Sequence, residues 1–131
     1  MIARQQTAMA GEINLIAYIK HRGNCFEACV ASLMEVAVNK VPDLEKFGTK
    51  WREGLSAFLE FNGYKLSVDC YSPFELSGFE GEYIVTGPSP RGDWHHAVIH
   101  QKGELLFDPY PGGKGLGAGD YNYWKLEKIS L

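Results

Sequence analysis

Apolar residues recur at three- and four-residue spacing directly after Asn24, with Phe26, Cys29, Val30, Leu33 and then Val36 or Ala37 on one face. The pattern predicts an amphipathic helix capped by Asn24. It should stop near Asn39, because Val41-Pro42 follows and proline disfavours helical backbone in its predecessor. Trp51, Leu55, Phe58 and Leu59 predict a second helix, and Asn62-Gly63 supplies the left-handed residue that commonly ends one. From there the period falls to two. Tyr64 to Tyr71 alternates apolar and polar residues, and Glu82 to Thr86 reads as another half-buried strand. Trp94 to His100 and Glu104 to Asp108 flank Gln101-Lys102-Gly103, a connection short enough for an antiparallel hairpin. Gly87 to Asp93 is a loop by its breakers, and Tyr121-Asn122-Tyr123-Trp124 leads into a terminal strand. Helices first and antiparallel strands afterwards predict an α+β fold, with the helices packed on one side of the sheet.

With 131 residues, 45% hydrophobic and 22% charged, the chain is expected to form one domain over residues 1–131. No apolar run approaches the roughly 20 residues of a membrane helix, and the first residues lack a continuous hydrophobic signal core. A cytoplasmic protein without a membrane partner is the expectation. A net charge of -3 with scattered basic residues gives no footprint for nucleic acid. Three cysteines are an odd count for a disulfide framework and suit a reducing compartment.

The chemistry concentrates in three places. Cys25 stands where a turn opens into a helix, and the unpaired N–H groups and positive end of a helix favour a thiolate there. His96 begins one strand of the predicted hairpin and Asp108 ends the other, so folding the hairpin brings them together. A nucleophile, a base and a group that orients the base are the parts of a thiol enzyme. His95 should point to the opposite face of its strand, and His95 and His100 read as solvated strand residues. Cys29 and Cys70 read as core. Cys25 and Cys29 lie one helical turn apart, unlike the short knuckles of structural zinc sites, so no metal is expected. The glycine-rich run from Gly112 to Gly119 lacks the following helix and the Lys-Ser/Thr ending of a phosphate loop. It reads as a mobile loop rimming the cleft.

In their order and context, Gly23-Asn24-Cys25-Phe26-Glu27-Ala28-Cys29, His96-Ala97-Val98-Ile99 and Phe107-Asp108-Pro109 resemble the three blocks of the papain-like cysteine peptidase superfamily. The style is similar to its compact branch, the bacteriocin-processing, double-glycine-type peptidases and their small phage relatives. The resemblance implies a papain-like fold and a Cys25-His96-Asp108 triad that cleaves a peptide or isopeptide bond of a peptide or protein substrate through a thioester. It implies no cofactor and, for a phage-encoded chain, a place in the host cytoplasm. Members usually carry a glutamine several residues before the nucleophile to help bind the oxyanion. Residues 14 to 24 contain none, and Gln5 and Gln6 lie too far upstream for a simple transfer of that role. The Cys25 amide remains as oxyanion donor, with Asn24, His21 or Asn14 as candidates to add another. The same parts would serve a transglutaminase or deamidase acting on glutamine side chains, or a cell-wall amidase. The missing glutamine favours an inactive protein-binding module on the same fold, whereas retention of all three triad residue types disfavours it.

Overall fold

A computed structural model describes residues 1–7, 13–14, 19–20, 23–76 and 80–129. Two helices, α1 (Cys25–Met34) and α2 (Trp51–Phe61), precede most of the strands. The strands are β1 (Ile13–Asn14), β2 (Ile19–Lys20), β3 (Tyr64–Cys70), β4 (Glu82–Pro88), β5 (His95–Gln101), β6 (Glu104–Phe107) and β7 (Asn122–Lys128). β1 and β2 pair with each other, and the other five form an antiparallel sheet in the order β3-β7-β4-β5-β6. The architecture is α+β. Among the described residues no helix is long and apolar enough to cross a membrane.

Local sequence explains most element boundaries. Lys102 and Gly103 both take positive φ, 53° and 79°, which is the two-residue turn that matches the twist of a β5–β6 hairpin. Gly63, at φ 81°, follows α2 as its left-handed stop. α1 departs from the expected length. It ends at Glu35 rather than near Asn39, because Glu35 itself turns left-handed and the Val36 N–H bonds the Ala31 carbonyl at 3.0 Å. Val36 then packs on the core from beyond the helix, and Val38–Lys40 forms a separate 3-10 turn.

Side chains alternate between two cores across the sheet. Ile84, Ala97, Ile99 and Trp124 face α1 and α2, packing with Cys29, Val30, Leu55 and Leu59. Tyr83, Val85 and Val98 face the other way, against Leu76, Leu116 and Tyr121. α1 is not amphipathic as predicted, since every residue except Leu33 is buried. A helix buried all round needs cover on every side. The N-terminal strap supplies one side, with the Ile2 N–H on the Ser32 carbonyl at 3.1 Å and the Arg4 N–H on Ser32 Oγ at 2.9 Å. On another side the Leu44 N–H donates to the buried Glu27 carboxylate at 3.2 Å.

Candidate active site

Cys25 is the first residue of α1, so its N–H and those of the next residues have no intrahelical acceptor. It is almost buried, 8% exposed, and lines a cleft that His96 also lines. One turn on, Cys29 is fully enclosed. Burial pushes its thiol well above the ordinary range, and Cys25, Asp108 and Glu27 push the same way. Cys29 therefore stays protonated and inert.

The β5–β6 ladder ends with Phe107 opposite Ile99. Asp108, one residue past that end, reaches back to His96, with Nε2 and Oδ1 2.6 Å apart and both side chains 2% exposed. Nε2 is thereby occupied, which leaves Nδ1 as the nitrogen that can serve the Cys25 thiol, and both residues line one cleft. Burial alone would lower the His96 pKa, but the hydrogen bond it donates to Asp108 and the nearby Cys25 outweigh it and lift the value to about 9. On the carboxylate, burial works upward and is outweighed by hydrogen bonds from His96, Gly115 and Tyr110, so Asp108 lies below its ordinary range. His95 is exposed at the cleft, and His100 is half-buried beside the Tyr83 ring at 6.2 Å rather than solvated. Strict alternation would have sent His95, with Ala97 and Ile99, toward α1. His96 stands where β5 has lost its β6 neighbour, and its ring meets both partners at that open edge.

The glycine run has a different role from the mobile rim predicted for it. It wraps the Asp108 carboxylate. The Gly115 N–H donates to Asp108 Oδ2 and the Tyr110 N–H to Oδ1, each at 2.9 Å, while the Gly117 N–H ties the loop to the Pro88 carbonyl at 2.7 Å. Gly113 lies against the same carboxylate, and a Cβ there would collide with it. Gly113→Ala is accordingly expected to displace Asp108 from its donors. The cost should be about 1–3 kcal/mol of stability in a denaturant titration, with a lowered His96 pKa by NMR.

Asn24 holds the N-cap position of α1, its carbonyl accepting the Ala28 N–H at 2.9 Å. Its side chain makes no cap bond to α1. Instead Oδ1 accepts the Thr7 N–H at 2.9 Å and Nδ2 donates to Thr7 Oγ at 2.7 Å. It lines a separate cavity of about 170 Å³ with Thr7 and Glu27, not the cleft at Cys25. The Asn14 side chain and His21 lie outside the described residues. Gln6, set aside as too distant, returns through the strap. It is 6% exposed and its N–H bonds the Pro109 carbonyl at 2.9 Å, between the Asp108 corner and the Thr7–Asn24 clamp.

A cleft of about 550 Å³ opens beside Cys25 and His96. Its floor is aromatic: Phe26, Trp51 and Trp124 pack mutually with ring centroids 5.3–6.0 Å apart. No protein-family model, curated protein or solved structure matches the chain. The functional reading therefore rests on this geometry: a thiol at a helix start, an imidazole lining the same cleft, and a buried carboxylate fixing that imidazole.

Proposed function

We propose that the protein is a papain-like cysteine hydrolase that cleaves a peptide or isopeptide bond. The observation that carries this reading is the chain of contacts from Cys25 through His96 to Asp108, with the 2.6 Å Nε2–Oδ1 bond holding the imidazole. With a pKa of about 9, His96 is protonated at neutral pH. In that form it supports negative charge on the Cys25 sulfur and carries the proton that a leaving amine needs. The sulfur attacks the carbonyl, the C–N bond breaks as His96 Nδ1 protonates the nitrogen, and an acyl thioester remains on Cys25. Neutral His96 then takes a proton from water, whose oxygen displaces the thiolate. The products are a carboxylate and the regenerated pair.

The Cys25 N–H, open at the start of α1, is one donor for the tetrahedral oxyanion. Gln6 is the candidate for the second. It is buried, and the strap fixes its main chain beside both the Asp108 corner and the residue before Cys25.

The test is labelling with a peptidyl acyloxymethyl ketone over a pH series, read by intact mass and peptide mapping. One adduct per chain, on Cys25, is expected, with Cys29 and Cys70 unmodified because they are 0% and 4% exposed. Labelling of Cys29 or Cys70 ahead of Cys25 would remove the reading. Ammonia release from glutamine peptides without chain cleavage would move it to a deamidase.

A further inference from the structure

On the helix-facing side of the sheet, one cross-strand pair is polar where its neighbours are apolar. Thr86 of β4 lies two residues beyond Ile84, and its partner Asn122 of β7 lies two residues before Trp124, so alternation turns both toward the helices. The pair closes the β4–β7 ladder and lines the cleft together with Cys25 and His96. Thr86 Oγ already accepts Trp124 Nε1–H at 2.9 Å. Asn122 Oδ1 is buried and has no hydrogen-bond partner among the described residues. A buried carbonyl without a donor destabilises the fold, and an apolar side chain in its place would remove that cost. Here the orphan stands at a cleft, where a ligand can supply the missing donor.

We infer that Asn122 is a specificity-determining residue that recognises a carboxamide side chain, glutamine or asparagine, of a peptide bound in the cleft, a substrate class that rests on the hydrolase reading. Rotation of its amide about χ2, a broad torsion, turns Oδ1 and Nδ2 toward the cleft together. A carboxylate has no donor for Oδ1, and an ammonium has no acceptor for Nδ2. A trans main-chain amide points its N–H and C=O in opposite directions, so it meets only one of the two. A primary carboxamide holds both groups side by side and meets both. The carboxamide held there is not the one attacked. Thr86 pairs with Ala97 on one side and Asn122 on the other, which sets Asn122 about 10 Å from the strand of His96 at the usual strand spacing. The recognised residue therefore flanks the scissile bond.

Four fluorescein-labelled alanine peptides, alike except for one central Gln, Met, Glu or Lys and ending in an N-methylamide, test this by anisotropy against Cys25→Ala protein and, in parallel, Cys25→Ser protein. The Gln peptide is expected to bind about tenfold tighter than the Met peptide, its apolar match in shape, and than the two charged ones. Adding Asn122→Leu should abolish that preference without lowering the midpoint of denaturant unfolding, because the orphan carbonyl is gone. Asn122→Asp keeps the shape, loses the donors and should shift preference from Gln to Lys. Equal affinity for all four, a Gln preference that survives Asn122→Leu, a lowered midpoint in both Asn122 variants, or no binding overturns the inference. Wild-type turnover of the same peptides, read by mass spectrometry, separates the two claims. Selective binding of the Gln peptide without cleavage upholds this inference and removes the hydrolase reading. Cleavage of the Met peptide as fast as the Gln peptide keeps the hydrolase and removes this inference, and conversion of the central Gln to Glu removes it too, by placing that carboxamide at Cys25.

Discussion

Cys25→Ala is expected to bring turnover of any peptide the protein cleaves down to background, a loss on the order of 10⁶-fold, the scale seen when a hydrolase loses its nucleophile. Among the described residues no other thiol lines the cleft. Cys29 is fully buried one turn deeper, with its thiol held protonated by burial. The fold should survive. The substitution removes one sulfur from a residue 8% exposed at the end of α1, and the helix keeps its strap, its Glu27 anchor and its sheet contacts. A cost of about 1 kcal/mol is expected by denaturant titration. Full turnover in the variant would remove Cys25 as the nucleophile, and an undiminished effect in cells without turnover would make the protein a binder on an enzyme-like scaffold, whereas a collapsed far-UV spectrum would show that Cys25 is needed for packing. Activity and circular dichroism on one preparation distinguish these outcomes.

Elements written in local chemistry were legible from the chain. Lys102-Gly103 specifies the β5–β6 turn, Asn62-Gly63 ends α2, and the alternation of β3 appears as alternating exposure along the strand. Features depending on residues far apart in sequence were not. The end of α1 is set by a left-handed Glu35, a conformation glycine would have signalled and glutamate does not. The burial of Glu27 and Ser32 follows from partners at Leu44 and Arg4, which no helical periodicity encodes. Asn24 looked like a cap because asparagine favours that position, yet Thr7, 17 residues away, takes its side chain.

The candidate site divides along the same line. Chain order and hairpin geometry were enough to bring His96 to Asp108, because only a dozen residues and a tight turn separate them. Alternation placed His95 on the opposite face and left His96 as the choice. The β6 ladder ends at Ile99, before His96 is reached, and it is His96 that pairs with Asp108. The glycine run was visible as composition, but its use was not. A backbone that must approach a carboxylate closely enough to donate from Tyr110 and Gly115 cannot carry a Cβ at Gly113, so the requirement becomes visible only once Asp108 is in place. Gln6 was set aside on sequence distance alone, and the strap brings its main chain to Pro109, next to Asp108.

Asp108→Ala is expected to act differently from Cys25→Ala, cutting turnover by about 10⁴-fold and leaving a measurable remainder, since nucleophile and oxyanion donors stay in place. The larger signature is in the pH dependence. Without the carboxylate, burial, which lowers the His96 pKa, is opposed only by Cys25, so the value should fall well below about 9. In the wild-type protein that pKa is raised from 6.5, so its contribution to stability is fully present below pH 6.5 and is lost as pH rises through about 9. The size is about 3 kcal/mol, from roughly 2.5 pKa units at 1.36 kcal/mol each. Asp108, with its pKa lowered, has the opposite window: its contribution is present above its ordinary 3.8 and disappears as pH falls through its folded value. Both describe one ion pair, so between these limits the wild-type protein should be most stable relative to Asp108→Ala. The gap measured by denaturant titration should therefore narrow as pH is raised from 6.5 past 9. A remainder should persist above that range, because the buried Gly115 N–H and the part-buried Tyr110 N–H lose their acceptors, at about 1–3 kcal/mol for the buried one. A gap independent of pH would mean that His96 is not held as a cation by Asp108. The proton-carrying role assigned to that imidazole would then fail even if the structure of the site were unchanged.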